Sequence, residues 1–226
     1  MFNVWRKIMP GYKLAIDGPA GSGKSTISSL IAKQLGWTHI DTGAMYRAVT
    51  LLAIESGIDL SQEADYTFLE SAKIHYDFDR IFINDRDVTE AIRSEAVTNN
   101  VSLVSSFPYV RRKLVDLQKE AAKDINVVMD GRDIGTVVLP DADLKIFLTA
   151  NVEERAKRRY KEHIKKGKQA EISKVIEDIV IRDQKDSTRK ESPLKKADDA
   201  IILDTTDLTI EQVVRQIIEL TDKKEN

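Results

Sequence analysis

Apolar positions along the chain switch repeatedly between a period of two and a period near 3.6. Tyr12–Asp17 (YKLAID) is short and mostly apolar, which predicts a strand. A Gly-rich turn follows, then a helix from Lys24 to Leu35. Its apolar positions Ile27, Leu30, Ile31 and Leu35 share one face, and Gly36 supplies a stop. Trp37–Asp41 reads as extended, and Gly43–Ser56 as a second helix stopped by Gly57. Across Lys73–Thr89 the period shortens. HYDF and RIFIND alternate and are joined by an acidic turn, which predicts a small antiparallel ribbon. Pro108 is placed to open a helix over Pro108–Lys123. Ile125–Asp130, Leu144–Thr149 and Ala200–Asp204 read as buried-type strands, with helices over Val152–Lys166, Glu171–Lys185 and Ile210–Thr221. Strands alternating with helices imply an α/β protein: a mainly parallel sheet covered on both faces, with the ribbon as an insertion. Met1–Gly11 ends in Pro-Gly and reads as an arm, with Met9 near a natural start; an ordinary frayed terminus fits equally.

Composition narrows this picture. The 226 residues suffice for one compact domain with an insertion. Hydrophobic residues make up 42% and charged residues 32%, as expected for a packed core with a solvated surface. Net charge is -2, so any hold on phosphates must come from local clusters rather than a global field. Cysteine is absent, which removes disulfides, thiolate metal sites and cysteine nucleophiles. No apolar run is long enough to span a membrane and the N-terminus lacks the apolar core of a signal peptide, so the default expectation is a cytoplasmic protein. His39, His75 and His163 lack ligand spacing, and no metal site of protein ligands is assigned to them.

The strongest chemical signal is Gly18–Ser25, GPAGSGKS, which fits the phosphate-loop pattern G-x-x-x-x-G-K-[ST] between a predicted strand and a predicted helix. Its glycines let the backbone wrap closely and turn N–H groups toward an anion. The helix that follows adds its positive N-terminal end. On this reading Gly18, Pro19, Ala20, Gly21, Ser22, Gly23, Lys24, Ser25 and Thr26 form the ATP site. Lys24 brings charge to the β- and γ-phosphates, and Ser25 ligates Mg²⁺ together with phosphates and water. Asp130 ends a strand where a second metal-orienting carboxylate of such proteins sits; it reads equally well as a turn residue.

Three further clusters carry charge. Asp41–Arg47 (DTGAMYR) starts a helix that Thr42 can cap, with Arg47 a turn further on. By itself it is also readable as a cap plus a surface arginine. Gly131–Thr136 (GRDIGT) follows the strand ending at Asp130. In a parallel sheet its loop meets the phosphate loop over one crevice. Arg182, Asp186 and Arg189 share a helical face at i, i+4 and i+7, a pattern that also fits a solvated salt-bridged face. No N-K-x-D guanine-reading motif occurs, and 6% aromatics with a near-neutral charge give little for a nucleic-acid translocase. Lys157, Arg158, Arg159, Lys161, Lys165, Lys166 and Lys168 form a dense basic run. For the lysines it reads as a solvated helix face, since RNA binding would want aromatics beyond Tyr160.

Together, GPAGSGKST, DTGAMYR, SSFPYVR, DGRDIGTVVLPDA and RDQKDSTRKESPLKKADDAIILDTT resemble the motifs of the bacterial-type cytidylate kinase family, in order, from near Tyr12 to near the C-terminus. The resemblance implies a P-loop nucleoside-monophosphate kinase fold: a five-stranded parallel sheet flanked by helices, with an acceptor-binding insertion over about 60–105 and a helical lid over about 152–170. It implies transfer of the γ-phosphoryl group of ATP to CMP or dCMP with Mg²⁺, by a chain commonly monomeric, with no nucleic-acid or membrane partner. Thr42, Arg47 and Arg132 would hold the CMP phosphate, and Asp41 would belong to the same CMP site. Family members often have Ser where this chain has Thr42, and the hydroxyl is retained. Ser102, Arg111 and Asp133 would read the cytosine edge. Arg182 and Asp186 would contact ribose, and Arg189 acceptor phosphate or base. Arg155, Arg158 and Arg159 would close from the lid, joining Lys24, Arg132 and Asp133 as the catalytic set. Phosphoryl transfer spreads charge over equatorial oxygens, so positioned cations do most of the work. A kinase of the same fold preferring UMP or another small acceptor is the alternative, and an ATP-dependent binding switch is the reading from a different class.

Overall fold

The computed structural model describes residues 11–77, 80–165, 167 and 169–224. The arm at 1–8, Met9, Phe78, Lys166 and Lys168 lie outside the described residues. Strand β1 (Lys13–Asp17) leads into helix α1 (Lys24–Leu35), then strand β2 (Thr38–Asp41) and helix α2 (Thr42–Glu55). A 3-10 segment (Glu63–Glu70) precedes β3 (Ile74–Asp77), β4 (Arg80–Ile83) and β5 (Arg86–Asp87). A short turn (Ala91–Arg93), α3 (Glu95–Val104) and α4 (Pro108–Ala121) follow, then β6 (Val127–Gly131), a wide turn (Ile134–Val138) and β7 (Leu144–Thr149). Helices α5 (Val152–Lys165) and α6 (Ile172–Thr188), β8 (Ile201–Asp204) and α7 (Ile210–Lys224) complete the chain.

The main sheet has the order β2-β6-β1-β7-β8 and every pairing is parallel. All five of its strands were expected from the pattern. Alternation explains the two layers. Along β6, Val127 and Met129 enter the core under α2, α3 and α4, while Val128 enters the core under α1 and α7. Register brings Asp17 opposite Gly131 and Asp41 opposite Asp130. The phosphate loop, the start of α2 and the GRDIGT loop therefore leave one carboxyl edge side by side, as an open parallel sheet requires for a ligand crevice.

Several local expectations are corrected. Leu30 is 36% exposed, because the buried arc of α1 runs through Ile27, Ser28, Ile31 and Ala32 and leaves Leu30 outside it. The strand Ala200–Asp204 was read as buried, but β8 is a sheet edge with Ile202 59% exposed. The ribbon is three-stranded, since Arg86–Asp87 pairs back onto β4. Asp41, not Thr42, caps α2: its Oδ1 accepts from the Ala44 amide at 3.1 Å, while Thr42 is already the first helical residue. Helix α3 had no sequence expectation; Ser94 caps it through the Val97 amide. Helix α6 runs three residues past Lys185, to Thr188.

Candidate functional site

The phosphate loop lies where its glycines allow it. Gly18, Gly21 and Gly23 all have positive φ. A Cβ on Gly18 would stand 2.0 Å from the backbone oxygen of Leu148, so only glycine lets the loop cross β7 here. Lys24 is buried and folds back on the loop, donating to the Pro19 carbonyl at 2.7 Å and the Ser22 hydroxyl at 3.3 Å. Burial holds its ammonium well below the usual lysine range, and the nearby charges of Arg132 and Arg182 push the same way. Thr26 is exposed on the first turn of α1.

Beneath the loop an oxygen cluster forms. Ser25 Oγ donates to Asp41 Oδ2 at 2.7 Å and stands 3.4 Å from Asp130 Oδ2. A hydroxyl between two carboxylates suits a hard divalent cation that keeps most of its shell for water and phosphate, so these residues fit Mg²⁺. Asp130 is buried, and burial with the neighbouring Asp41 charge raises its carboxyl above the ordinary range. His39 Nε2 meets Asp130 Oδ1 at 2.7 Å from the neighbouring strand. Thr42 Oγ1 donates to the Asp130 carbonyl at 2.8 Å. Among the described residues no group of three or more His, Asp or Glu side chains could hold a metal by itself.

Next to this cluster, α2, α3, α4, α6 and the GRDIGT loop line an open cleft. Its lining includes Asp41, Thr42, Arg111, Asp130, Arg132, Asp133, Arg182, Asp186 and Arg189, nine of the residues expected at the site. Asp186 is buried and accepts from Arg132 Nε at 2.9 Å, so this α6 face is not solvated. Arg189 follows the helix in extended conformation and still reaches the cleft. At the floor, Arg111 pairs with Asp133 through Nη2 and with the Ser105 carbonyl through Nη1 at 3.1 Å. Arg189 Nη2 stands 3.6 Å from the other Asp133 oxygen. Asp133 is thus held between two guanidiniums.

The electrostatics point to an anion. Burial lowers the Arg182 guanidinium to about 9, and the charges of Arg132, Arg47 and Arg159 add to that. Burial and Arg159 bring Arg47 to about 10. Lys24, Arg47, Arg132, Arg159 and Arg182 act on one another as like charges, a repulsion that a bound polyanion would relieve. Arg182 Nε and Arg111 Nε are buried without a hydrogen-bond partner among the described residues.

The remaining expected residues are spread around this centre. Arg47 donates to Thr98 Oγ1 at 3.0 Å. Ser102 is half-buried on α3 and is not among the lining residues; Val101 and Ser105, on either side of it, are. The lid arginines separate. Arg155 is buried under the loop and bonds the Ala20 carbonyl at 2.9 Å. Arg158 bonds Thr205 through its hydroxyl at 3.0 Å and its carbonyl at 2.7 Å. Arg159 reaches Glu162 at 3.6 Å, and its charge acts on Arg47 and Arg182. Lys157, Lys161 and Lys165 are exposed.

Sequence reasoning missed four residues. Tyr46 lies under the Arg111 guanidinium, 5.4 Å from ring centroid to carbon, and its place inside DTGAMYR was the available signal. Asp17 accepts the Ile134 and Gly135 amides at 2.8 Å each, tying the end of β1 to the GRDIGT loop. A carboxylate closing an apolar strand was the hint. Ser105 opens the SSFPYVR segment that ends at its partner Arg111, and that was the available signal; His39 carried none, because its partner Asp130 lies 91 residues away.

Comparison with known proteins agrees with this geometry. The family model described as Cytidylate kinase matches residues 14–223. The chain is 62% identical over 212 residues to the "Cytidylate kinase" of Acholeplasma laidlawii, covering 94% of this chain and 96% of that one. It is 51% identical over 222 residues to the "Cytidylate kinase" of Streptococcus equi subsp. equi, covering 95% and 98%. Among solved structures, an uncharacterized protein from Eubacterium ventriosum superposes with a TM-score of 0.52 at 12% identity, covering 94% of this chain and 99% of that one. That likeness concerns the fold alone.

Proposed function

Because the chain belongs to the cytidylate kinase family, we propose that it transfers the γ-phosphoryl group of ATP to CMP or dCMP, releasing ADP and CDP or dCDP. The observation that carries this reading is a cleft lined by Arg132, Arg182 and the Arg111–Asp133–Arg189 set, next to a phosphate loop whose Lys24 feels the charges of Arg132 and Arg182. An oxygen of the acceptor phosphate attacks the γ-phosphorus in line, and the bond to the bridging oxygen of ADP breaks. The acceptor phosphate is already largely anionic near neutral pH, so no strong general base is needed. Mg²⁺ would be held on the side of Ser25, Asp41 and Asp130 and would offset the charge of the donor phosphates.

The chain's residues divide the work. The Gly18–Thr26 loop cradles the donor phosphates, with Lys24 beside them. Ser25, Asp41 and Asp130 hold the Mg²⁺ side. Arg47, Arg132 and Arg182 with Thr42 take the acceptor phosphate. Arg111 and Asp133, a donor and an acceptor fixed side by side, suit the amino, ring-nitrogen and carbonyl edge of cytosine. Asp186 and Arg182 serve the ribose, and Arg189 spans base and phosphate. Ser102 acts, on this reading, from the α3 turn that also carries Val101 and Ser105. The unit over 60–105 forms the acceptor side and that over 152–170 the lid, where Arg155 and Arg158 position the donor side and Arg159 faces the transferred group. On this reading the chain works as a monomer in the cytoplasm; its near-neutral net charge gives no general attraction for nucleic acid, and among the described residues no helix is long and apolar enough to cross a membrane.

The test is ADP release from MgATP with CMP, dCMP, UMP, AMP, GMP or no acceptor. Strong stimulation by CMP and dCMP alone is expected. A flat panel with ATP still bound overturns the assignment.

A further inference from the structure

Helix α6 faces two places at once. Arg182 and Asp186 line the acceptor cleft. The residue between them in the loop-facing direction, Asp183, is turned about 100° from Arg182 and reaches the phosphate loop instead. Its Oδ1 accepts the Ala20 amide N–H at 3.0 Å, and its Oδ2 accepts from Arg155 Nη1. Arg155 returns to the same residue, with Nη1 donating to the Ala20 carbonyl at 2.9 Å and Nε to the Ala150 carbonyl at 3.0 Å. Both polar groups of the Ala20 peptide units are therefore gripped by one ion pair from helices α5 and α6. The pair is shielded, Arg155 at 6% and Asp183 at 20% side-chain exposure. The backbone is close as well: a Cβ on Gly21 would stand 3.3 Å from Arg155 Cβ.

A helix moves as a rigid element, and hydrogen bonds weaken steeply when stretched or bent. Any shift of α6 that brings Arg182 and Asp186 onto an acceptor also moves Asp183 against Ala20. We propose that Asp183 is a positioning residue that couples the acceptor cleft to the phosphate loop, so that bound CMP tightens the hold on ATP. Linkage requires ATP to tighten the hold on CMP by the same factor. The proposal rests on the function proposed above.

The full chain is titrated calorimetrically with the non-hydrolysable analogue β,γ-methylene-ATP and Mg²⁺, with and without saturating CMP. Wild type, Asp183→Ala and Asp183→Asn are compared. In wild type, CMP is expected to raise analogue affinity at least about fivefold, and in Asp183→Ala the factor falls to within about twofold of one. CMP alone binds all three proteins within about threefold of each other, because Arg182 and Asp186 remain, whereas a loss of coupling appears only with both ligands. Asp183→Asn keeps an acceptor for the Ala20 amide but no charge for Arg155, and falls between; it decides the matter if Asp183→Ala does not fold. Both ligands binding wild type without coupling overturns the proposal. So does a variant that keeps the full factor, or one whose affinity for CMP alone falls as far as the coupling, the mark of a merely structural pair. Analogue binding with no CMP binding to wild type overturns the proposed function, and the coupling with it.

Discussion

Asp133→Ala exposes how the cleft floor is held together. Arg111 and Asp133 are only 3% and 4% exposed, so the pair is largely withheld from water. Its removal leaves the Arg111 Nη2 group without its partner and the Arg189 guanidinium, 3.6 Å from the same carboxylate, facing another cation. Burial and Arg111 already hold Arg189 below the usual arginine range, and Asp133 opposes that effect. Deleting one member of a buried ion pair costs about 3–5 kcal/mol, mainly through the charge left behind. For a chain of 226 residues each kcal/mol moves the melting temperature by about 2–4 °C, so a fall of about 6–20 °C is expected. Circular dichroism melts measure this directly. Asp133→Asn, which keeps the shape and an acceptor oxygen, is expected to fall less, and both variants are expected to bind CMP more weakly than wild type. An Asp133→Ala protein melting within about 2 °C of wild type would refute the reasoning, since a cost of less than about 1 kcal/mol is that of a solvated pair.

Three other substitutions probe separate parts of the site. Lys24→Ala is expected to lower kcat for CMP-dependent ADP release at least about a hundredfold, as removal of one aimed charge donor does elsewhere; activity within tenfold of wild type would exclude a phosphate role for Lys24. Gly131→Ala places a Cβ 2.5 Å from Thr42 Oγ1 and 2.7 Å from Ile134 Cδ1, and overpacking of this kind costs about 1–3 kcal/mol. Urea unfolding tests it, and an unchanged midpoint would show that the loop yields freely. Burial pushes the Asp17 carboxyl up from 3.8 to about 6, against the opposing pull of the Gly135 and Ile134 amides. The folded state then holds the proton more tightly than the unfolded one. Asp17 therefore contributes stability that is full below about pH 4 and is lost as pH rises through about 6, a swing of about 3 kcal/mol. In Asp17→Asn the change in unfolding free energy between about pH 4 and pH 7 should shrink; an undiminished change would assign it to other groups.

What the sequence determined by itself is local. Gly18–Ser25 could be read because every feature of a phosphate loop lies within eight neighbouring residues: glycines where φ is positive, a lysine, a hydroxyl and a helix start. The three central strands β1, β6 and β7 were legible because burial on both faces demands continuous apolar runs, and the edge strands β2 and β8 because each lies between two helical segments. The three-residue extension of α6, the edge position of β8 and the cap at Asp41 were not, since each depends on what packs beside it. The tertiary structure alone decided the partnerships. Asp133 meets Arg111 across 22 residues, His39 meets Asp130 across 91 and Asp183 meets the Ala20 amide across 163. No periodicity encodes such distances. They follow from parallel register, which delivers three loops to one sheet edge, and from helices α5 and α6 folding back over it. A buried charge needs a partner wherever the chain can bring one, so the carboxylates and guanidiniums were readable as residue types, but their pairing awaited the fold.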